Sequence, residues 1–150
     1  LADGRERHAA WVEQADVVEF VNSQLVTVNP VMERRYVDIP ESNTGDVRLY
    51  NNLMWGACDT AAVIGGGKVN IQQANILHYG EQGFLLSGGN TKISGIVFHL
   101  PLKHFQVTAD VEQVRILGCL GMRFDAFTNE PLVIDNQAGD KTSIKFNTIH

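Results

Sequence analysis

From Val47 to Thr108 the chain repeats itself every 22 residues, and this periodicity limits the folds open to it more than any other feature. The segments read VRLYNNLMWGACDTAAVIGGGK, VNIQQANILHYGEQGFLLSGGN and TKISGIVFHLPLKHFQVT. Core-type residues recur in columns: Val47/Val69/Thr91, Leu49/Ile71/Ile93, Met54/Ile76/Phe98 and Val63/Leu85/Val107. The runs between the Gly and Asn turns are short and rich in strand formers. No single unit of this length buries its own apolar side, so successive units must stack in register. The expectation is an all-β parallel β-helix of about five coils. An antiparallel jelly roll or sandwich is the alternative if the columns do not align.

The 150 residues make one domain, with residues 1–16 as a cap and 17–150 as coils. Asp3 and Glu6 have capping-box spacing, and His8, Trp11, Ala15 and Val18 recur at helical intervals, so a short N-terminal helix is expected. Laid across the first coil, it would cover unpaired backbone and an open core, with Trp11 as the plug. Val17–Asn29 reads as strand and Tyr36–Ile39 as another, joined by a loop from Asn29 to Arg35. Gly65-Gly66-Gly67 and Ser87-Gly88-Gly89-Asn90 fall at equivalent places, where glycine supplies the positive φ of a sharp corner. They lack the Lys-Ser/Thr ending of a phosphate loop. Val114–Ile116 and Leu132–Ile134 continue the columns, with residues 123–130 bulging between them. Ile144, Phe146 and Ile149 open a further coil, and the chain reads as a piece of a longer one.

Net charge is −5 with Lys and Arg scattered, so nucleic acid is not an expected partner. The longest apolar runs, such as GIVFHLPL, are too short to span a bilayer, and no membrane insertion is expected. Cys58 and Cys119 have no metal-type spacing and read as small apolar fillers, a disulfide being the alternative. His78, His99 and His104 come from adjoining coils but do not share a column, so no metal site is expected, nor any cofactor. Arg115 and Arg123 are the only basic residues near acids that a lyase could use, and no Gly-x-Ser-x-Gly turn exposes a serine.

The repeat, VNIQQANILHYGEQGFLLSGGNTKISGIVF above all, resembles the right-handed parallel β-helix of pectate-lyase-like proteins, and among them the phage tailspikes. The resemblance covers roughly residues 17–149 and rests on repeat length and column chemistry. It implies a right-handed coil and recognition, often cleavage, of a bacterial cell-surface polysaccharide. It also implies a homotrimer and a place on a virion surface or outside the cell. Depolymerase grooves in that family run along more coils than this chain holds, which favours a receptor-binding or trimerising module.

Candidate site residues follow from the repeat. At an offset of 22, Asp59, Glu81, Lys103 and Asp125 form one corner column. Stacked coils are about 4.8 Å apart, so Asp59 and Glu81 would have the spacing of a retaining glycosidase pair, one acid protonated and one ionised. The plainer alternative is a solvated corner neutralised by Lys103. Trp55 and Tyr79 flank that corner and could stack on sugar rings, or else fill the interior or a subunit interface. The first expectation is therefore a polysaccharide-binding module contacting its ligand through Trp55, Tyr79, Asp59, Glu81, Lys103 and Asp125. A glycoside hydrolase using Asp59 and Glu81 is the second. A structural trimerisation segment, with Leu53, Leu77 and Leu100 buried between subunits, is the third.

Overall fold

A computed structural model describes residues 8–27, 35–56, 58–78, 80–99, 103–123 and 128–145. It is a parallel β-solenoid. Strand β1 (His8–Trp11) is followed by an irregular turn of β2 (Val17–Val21), β3 (Gln24–Thr27) and β4 (Arg35–Ile39). Three regular turns come next. The first is β5 (Asp46–Tyr50), β6 (Leu53–Gly56) and β7 (Thr60–Ile64), and the second is β8 (Lys68–Gln72), β9 (Asn75–His78) and β10 (Gln82–Leu86). The third is β11 (Asn90–Ser94), β12 (Val97–His99) and β13 (Lys103–Val107). A last, irregular part holds β14 (Gln113–Leu117), β15 (Leu120–Arg123), β16 (Thr128–Glu130), β17 (Ile134–Asn136) and β18 (Thr142–Lys145).

Each turn gives one strand to each of three sheets. Sheet A runs β1-β4-β7-β10-β13-β17, sheet B runs β2-β5-β8-β11-β14-β18, and sheet C runs β3-β6-β9-β12-β15-β16. Among the described strands every neighbouring pair is parallel except β15–β16, which removes the jelly-roll alternative.

The core is the stacked inner positions of the three sheets. Val47, Val69, Thr91 and Val114 lie in register, as do Leu49, Ile71, Ile93 and Ile116, and all are buried. Met54, Ile76 and Phe98 stack likewise in sheet C. The fourth expected column breaks. Val63 pairs with Leu85, but Leu85 pairs with Gln106, and Val107 stands opposite Leu86. The third regular turn is one residue shorter between sheets C and A, so the inward and outward positions of β13 fall one place earlier than the 22-residue offset predicts.

Phe84, Phe98 and Phe105 fill the interior where sheets A and C converge. Phe84 and Phe105 stack at 5.6 Å, and Phe98 meets Phe105 edge-on at 5.1 Å and Phe84 at 5.6 Å. His104 is buried beside them, edge-on to Phe98 at 5.2 Å, and its Nδ1 accepts the Val133 backbone N–H at 2.9 Å. Burial holds this imidazole neutral and lowers its pKa from 6.5 to about 4. The unfolded chain therefore takes up a proton first as pH falls below 6.5, so His104 withdraws stability progressively between there and about 4. That loss is at most roughly 3 kcal/mol. A titration of the imidazole C–H resonances by NMR is expected to show His104 still neutral at pH 5. A midpoint near the ordinary histidine value would contradict this.

The sheet B to sheet C corner is the most regular part of the coil. Asn22, Asn51, Gln73, Gly95 and Gly118 occupy it on successive rungs, all with φ between 52° and 64°. Each N–H from Asn22 to Gly118 donates to the last carbonyl of the sheet B strand on the next rung, at 2.8–3.0 Å. One left-handed residue turns the chain, and the next places its side chain inward, as with the buried Asn52, Ala74, Ile96 and Cys119. Asn52 satisfies itself there, its Nδ2 donating to the Phe20 carbonyl and its Oδ1 accepting from Ser23 N–H, both at 2.9 Å.

Three expectations need correction. His8–Trp11 is a strand paired with β4, not part of a helix, and residues 1–7 lie outside the described region. Parallel pairing on the sheet A edge overrides a helical spacing that only local chemistry supports. Trp11 is 61% exposed on that strand, so it is not a buried plug; its neighbours Ala10 and Val12 are the buried residues. Val17–Asn29 is not one strand either, because Asn22 with φ 53° breaks it into β2 and β3. Cys58 and Cys119 are buried thiols that are not joined in a disulfide. Burial raises the Cys58 thiol to about 12 and Cys119 to about 11, so both stay protonated at neutral pH.

Candidate functional site

Two surfaces can carry chemistry, and the fold sets them apart. The first is the corner between sheets C and A. Gln82 N–H donates to the Asp59 carbonyl at 3.1 Å, and Lys103 N–H to the Glu81 carbonyl at 2.9 Å. With Thr60 opposite Gln82, Asp59 and Glu81 precede paired residues on adjacent rungs, one strand spacing of about 4.8 Å apart. Both are exposed. Lys103 does not join them: the shortened turn places it opposite Gln82, and its Nζ lies 3.5 Å from Asp135 Oδ2. Trp55 is 40% exposed on the outer side of β6, upstream of the same corner. Tyr79 and Asp125 lie outside the described residues. Of the expected set, the structure brings Asp59 and Glu81 to neighbouring rungs and moves Lys103 away.

The histidines are dispersed, with His99 half-buried on the outer side of β12 and His104 inside the coil. No group of three or more His, Cys, Asp or Glu among the described residues is arranged to hold a metal ion.

The second surface is the outer face of sheet B, whose residues lie between the apolar columns of the repeat. Its outward residues form three ladders across the rungs. Asp46, Lys68, Asn90 and Gln113 make one, and Glu19, Arg48, Asn70, Lys92 and Arg115 the next. Val21, Tyr50, Gln72, Ser94 and Leu117 complete it. Alternation forces this: inner residues of β5, β8 and β11 are apolar apart from Thr91, and all are buried, so the intervening residues all face out on the same side.

Side chains on this face already brace one another. Asn70 Nδ2 donates to Tyr50 Oη at 3.0 Å, and Gln72 Nε2 donates to Asn70 Oδ1 at 3.1 Å. Arg48 bridges Glu19 at 2.7 Å and Asp46 at 3.5 Å, and the Glu19 hydrogen bond holds its guanidinium more firmly charged. A shallow depression of about 320 Å³ lies among Asp46, Arg48, Lys68, Asn70, Asn90 and Lys92. The outward columns of the repeat, DRY, KNQ, NKS and QRL, were the available signal. Apolar columns alone do not contain it.

Sheet B and the Asp59/Glu81 corner do not adjoin. The chain passes from sheet B to C to A, so the corner between C and A is the one edge that sheet B does not border. A ligand lying on sheet B and a reaction at the carboxylate corner would use different sides of the coil.

Comparison of the chain with protein-family models, with curated proteins and with solved structures found no match.

Proposed function

We propose that this β-solenoid recognises a polysaccharide, which lies across the outer face of sheet B. The observation that carries the reading is the set of amide, hydroxyl and phenol groups at Tyr50, Asn70, Gln72, Asn90, Ser94 and Gln113. They are fixed on a continuous sheet and recur on every rung from β5 to β14, one or two to a rung. Sugar hydroxyls are recognised by paired donors and acceptors held in place before binding, and the Tyr50–Asn70–Gln72 chain is such an arrangement. In its finer form the proposal is a tailspike-type host-recognition module, displayed on a virion or outside the cell and assembled as a homotrimer. The half-exposed apolar residues Leu53, Val97, Leu120 and Met122 on the outer side of sheet C supply the trimer contact.

Calorimetric titration with purified bacterial surface polysaccharides tests the core of this reading. The parent chain is expected to bind, and N70A/Q72A to bind at least tenfold more weakly with an unchanged melting temperature. Binding untouched by that substitution removes sheet B as the site. Light scattering on the native chain tests the assembly: a monomer removes the trimer.

One observation favours a second reading. The backbones of Asp59 and Glu81 are one rung of about 4.8 Å apart, which lets their carboxyls come to the about 5 Å of a retaining glycosidase pair. Release of reducing ends by the parent, abolished in D59N, would establish hydrolysis. An inert parent excludes it.

A further inference from the structure

Four of the outward positions on sheet B form a diagonal of cations. Lys92 and Arg115 stand directly opposite each other on β11 and β14. Lys68 precedes by two residues the Asn70 that pairs with Lys92, and Lys145 follows by two the Ser143 that pairs with Arg115. The line Lys68–Lys92–Arg115–Lys145 thus crosses β8, β11, β14 and β18, and all four side chains are exposed. Among the described residues none of them has an ion-pair partner. Other neighbours of Lys92 and Arg115 in and along the ladders are Asn70, Gln72, Asn90, Ser94, Gln113, Leu117 and Ser143, all uncharged. The nearest acid in register is Asp46, beside Lys68 at the end of the line, and Arg48 already engages it.

Like charges directly opposite each other in a sheet oppose folding. Elsewhere on this face the chain avoids the conflict, setting Glu19 against Arg48 and Asp46 against Lys68. The stripe is also out of keeping with a chain of net charge −5. Lys92 and Arg115 are one strand spacing of about 4.8 Å apart, and the diagonal steps to Lys68 and Lys145 are about 7–8 Å, so an extended chain laid along the line meets one cation per rung. Amides and hydroxyls of Asn70, Asn90, Gln113 and Ser94 lie alongside to take the neutral hydroxyls.

Resting on the polysaccharide reading above, we infer that the ligand is an acidic polysaccharide, its carboxylates meeting Lys68, Lys92, Arg115 and Lys145 on successive rungs. Arg115 suits a bidentate carboxylate contact, and the lysines act as point charges.

The test titrates the full chain with polyguluronate, hyaluronan and polysialic acid, and with the same polymers after their carboxyls are reduced to alcohols. At least one acidic polymer is expected to bind, with affinity falling between about 50 and about 200 mM salt. Its carboxyl-reduced form, and the K92Q/R115Q variant, are expected to lose about tenfold or more, with the variant's melting temperature unchanged or higher. Equal binding of a carboxyl-reduced polymer, or full affinity in K92Q/R115Q, overturns the acidic-ligand inference and leaves polysaccharide recognition standing. Equally tight binding of single-stranded DNA also overturns it, as non-selective attraction of polyanions. If neither acidic nor reduced polymers bind, the inference and the polysaccharide reading fall together.

Discussion

Replacing Phe98 with alanine is expected to cost about 4 kcal/mol of folding free energy, in the upper range for a single core side chain. Phe98 is fully buried and touches Phe84, Phe105 and His104, so three rings lose a partner at once. Two of those partners, Phe84 and Phe105, belong to successive rungs of sheet A, so the cavity opens between turns as well as within one. In a solenoid, stability is a sum of rung energies and nearest-neighbour interfaces. A cavity of this kind weakens one interface more than the rest. Equilibrium unfolding in urea, followed by hydrogen exchange on the sheet B amides, should therefore show a lower midpoint and earlier opening of β11 and β14 than of β5. A change below about 1 kcal/mol would mean that the aromatic cluster is not the centre of the core.

Gly88→Ala is the second severe change, expected to cost about 3 kcal/mol or more. Gly88 sits at the sheet A to sheet B corner, over Gly65 of the preceding rung. A Cβ there would collide with the Gly65 carbonyl oxygen, and both partners are backbone, so no rotamer change relieves the contact. Gly95 provides the contrast. Its φ is +64°, but a Cβ would find its nearest neighbours at 3.8 Å, so Gly95→Ala carries only the left-handed backbone cost of about 1 kcal/mol. Thermal unfolding of the two variants side by side separates close approach from backbone strain. Equal melting temperatures would refute the distinction.

That contrast also shows what sequence could and could not reveal. Positive φ was expected across both glycine runs, and Gly67 and Gly89 have it, at 73° and 64°. Gly65, Gly66 and Gly88 are needed instead because rungs stack there backbone on backbone, a relation between residues a full turn apart, such as Gly88 and Gly65, that no local window contains. The columns Leu49/Ile71/Ile93 and Met54/Ile76/Phe98 were legible because the same side chains must meet in every turn. Val107 was misplaced because Leu85 and Leu86 are both apolar, and either could have been its partner. The left-handed corner was hidden by its variety: Asn, Gln and Gly all fill it, and only the shared φ unites them. At the site, adjacency of Asp59 and Glu81 followed from the offset, whereas Lys103 moved because one residue was missing upstream. The cationic diagonal was invisible to column reading, since it shifts by two residues between some rungs.

The corners differ in how much length they allow. Between sheets B and C the connection is two residues on all five rungs where both strands are described, from Asn22-Ser23 to Gly118-Cys119. Between sheets A and B it varies from three residues, as at 65–67, to six, as at 40–45, and between C and A it reaches seven at 28–34. The invariant corner acts as a metronome for the coil, resetting the register once per turn whatever the other two corners have added. Engineered loops, whether binding peptides or reporter segments, should therefore be grafted between the exposed Ala109 and Asp110 of the five-residue connection 108–112 and never between Gln72 and Asn75. The former site lengthens an edge, while the latter would shift every rung that follows.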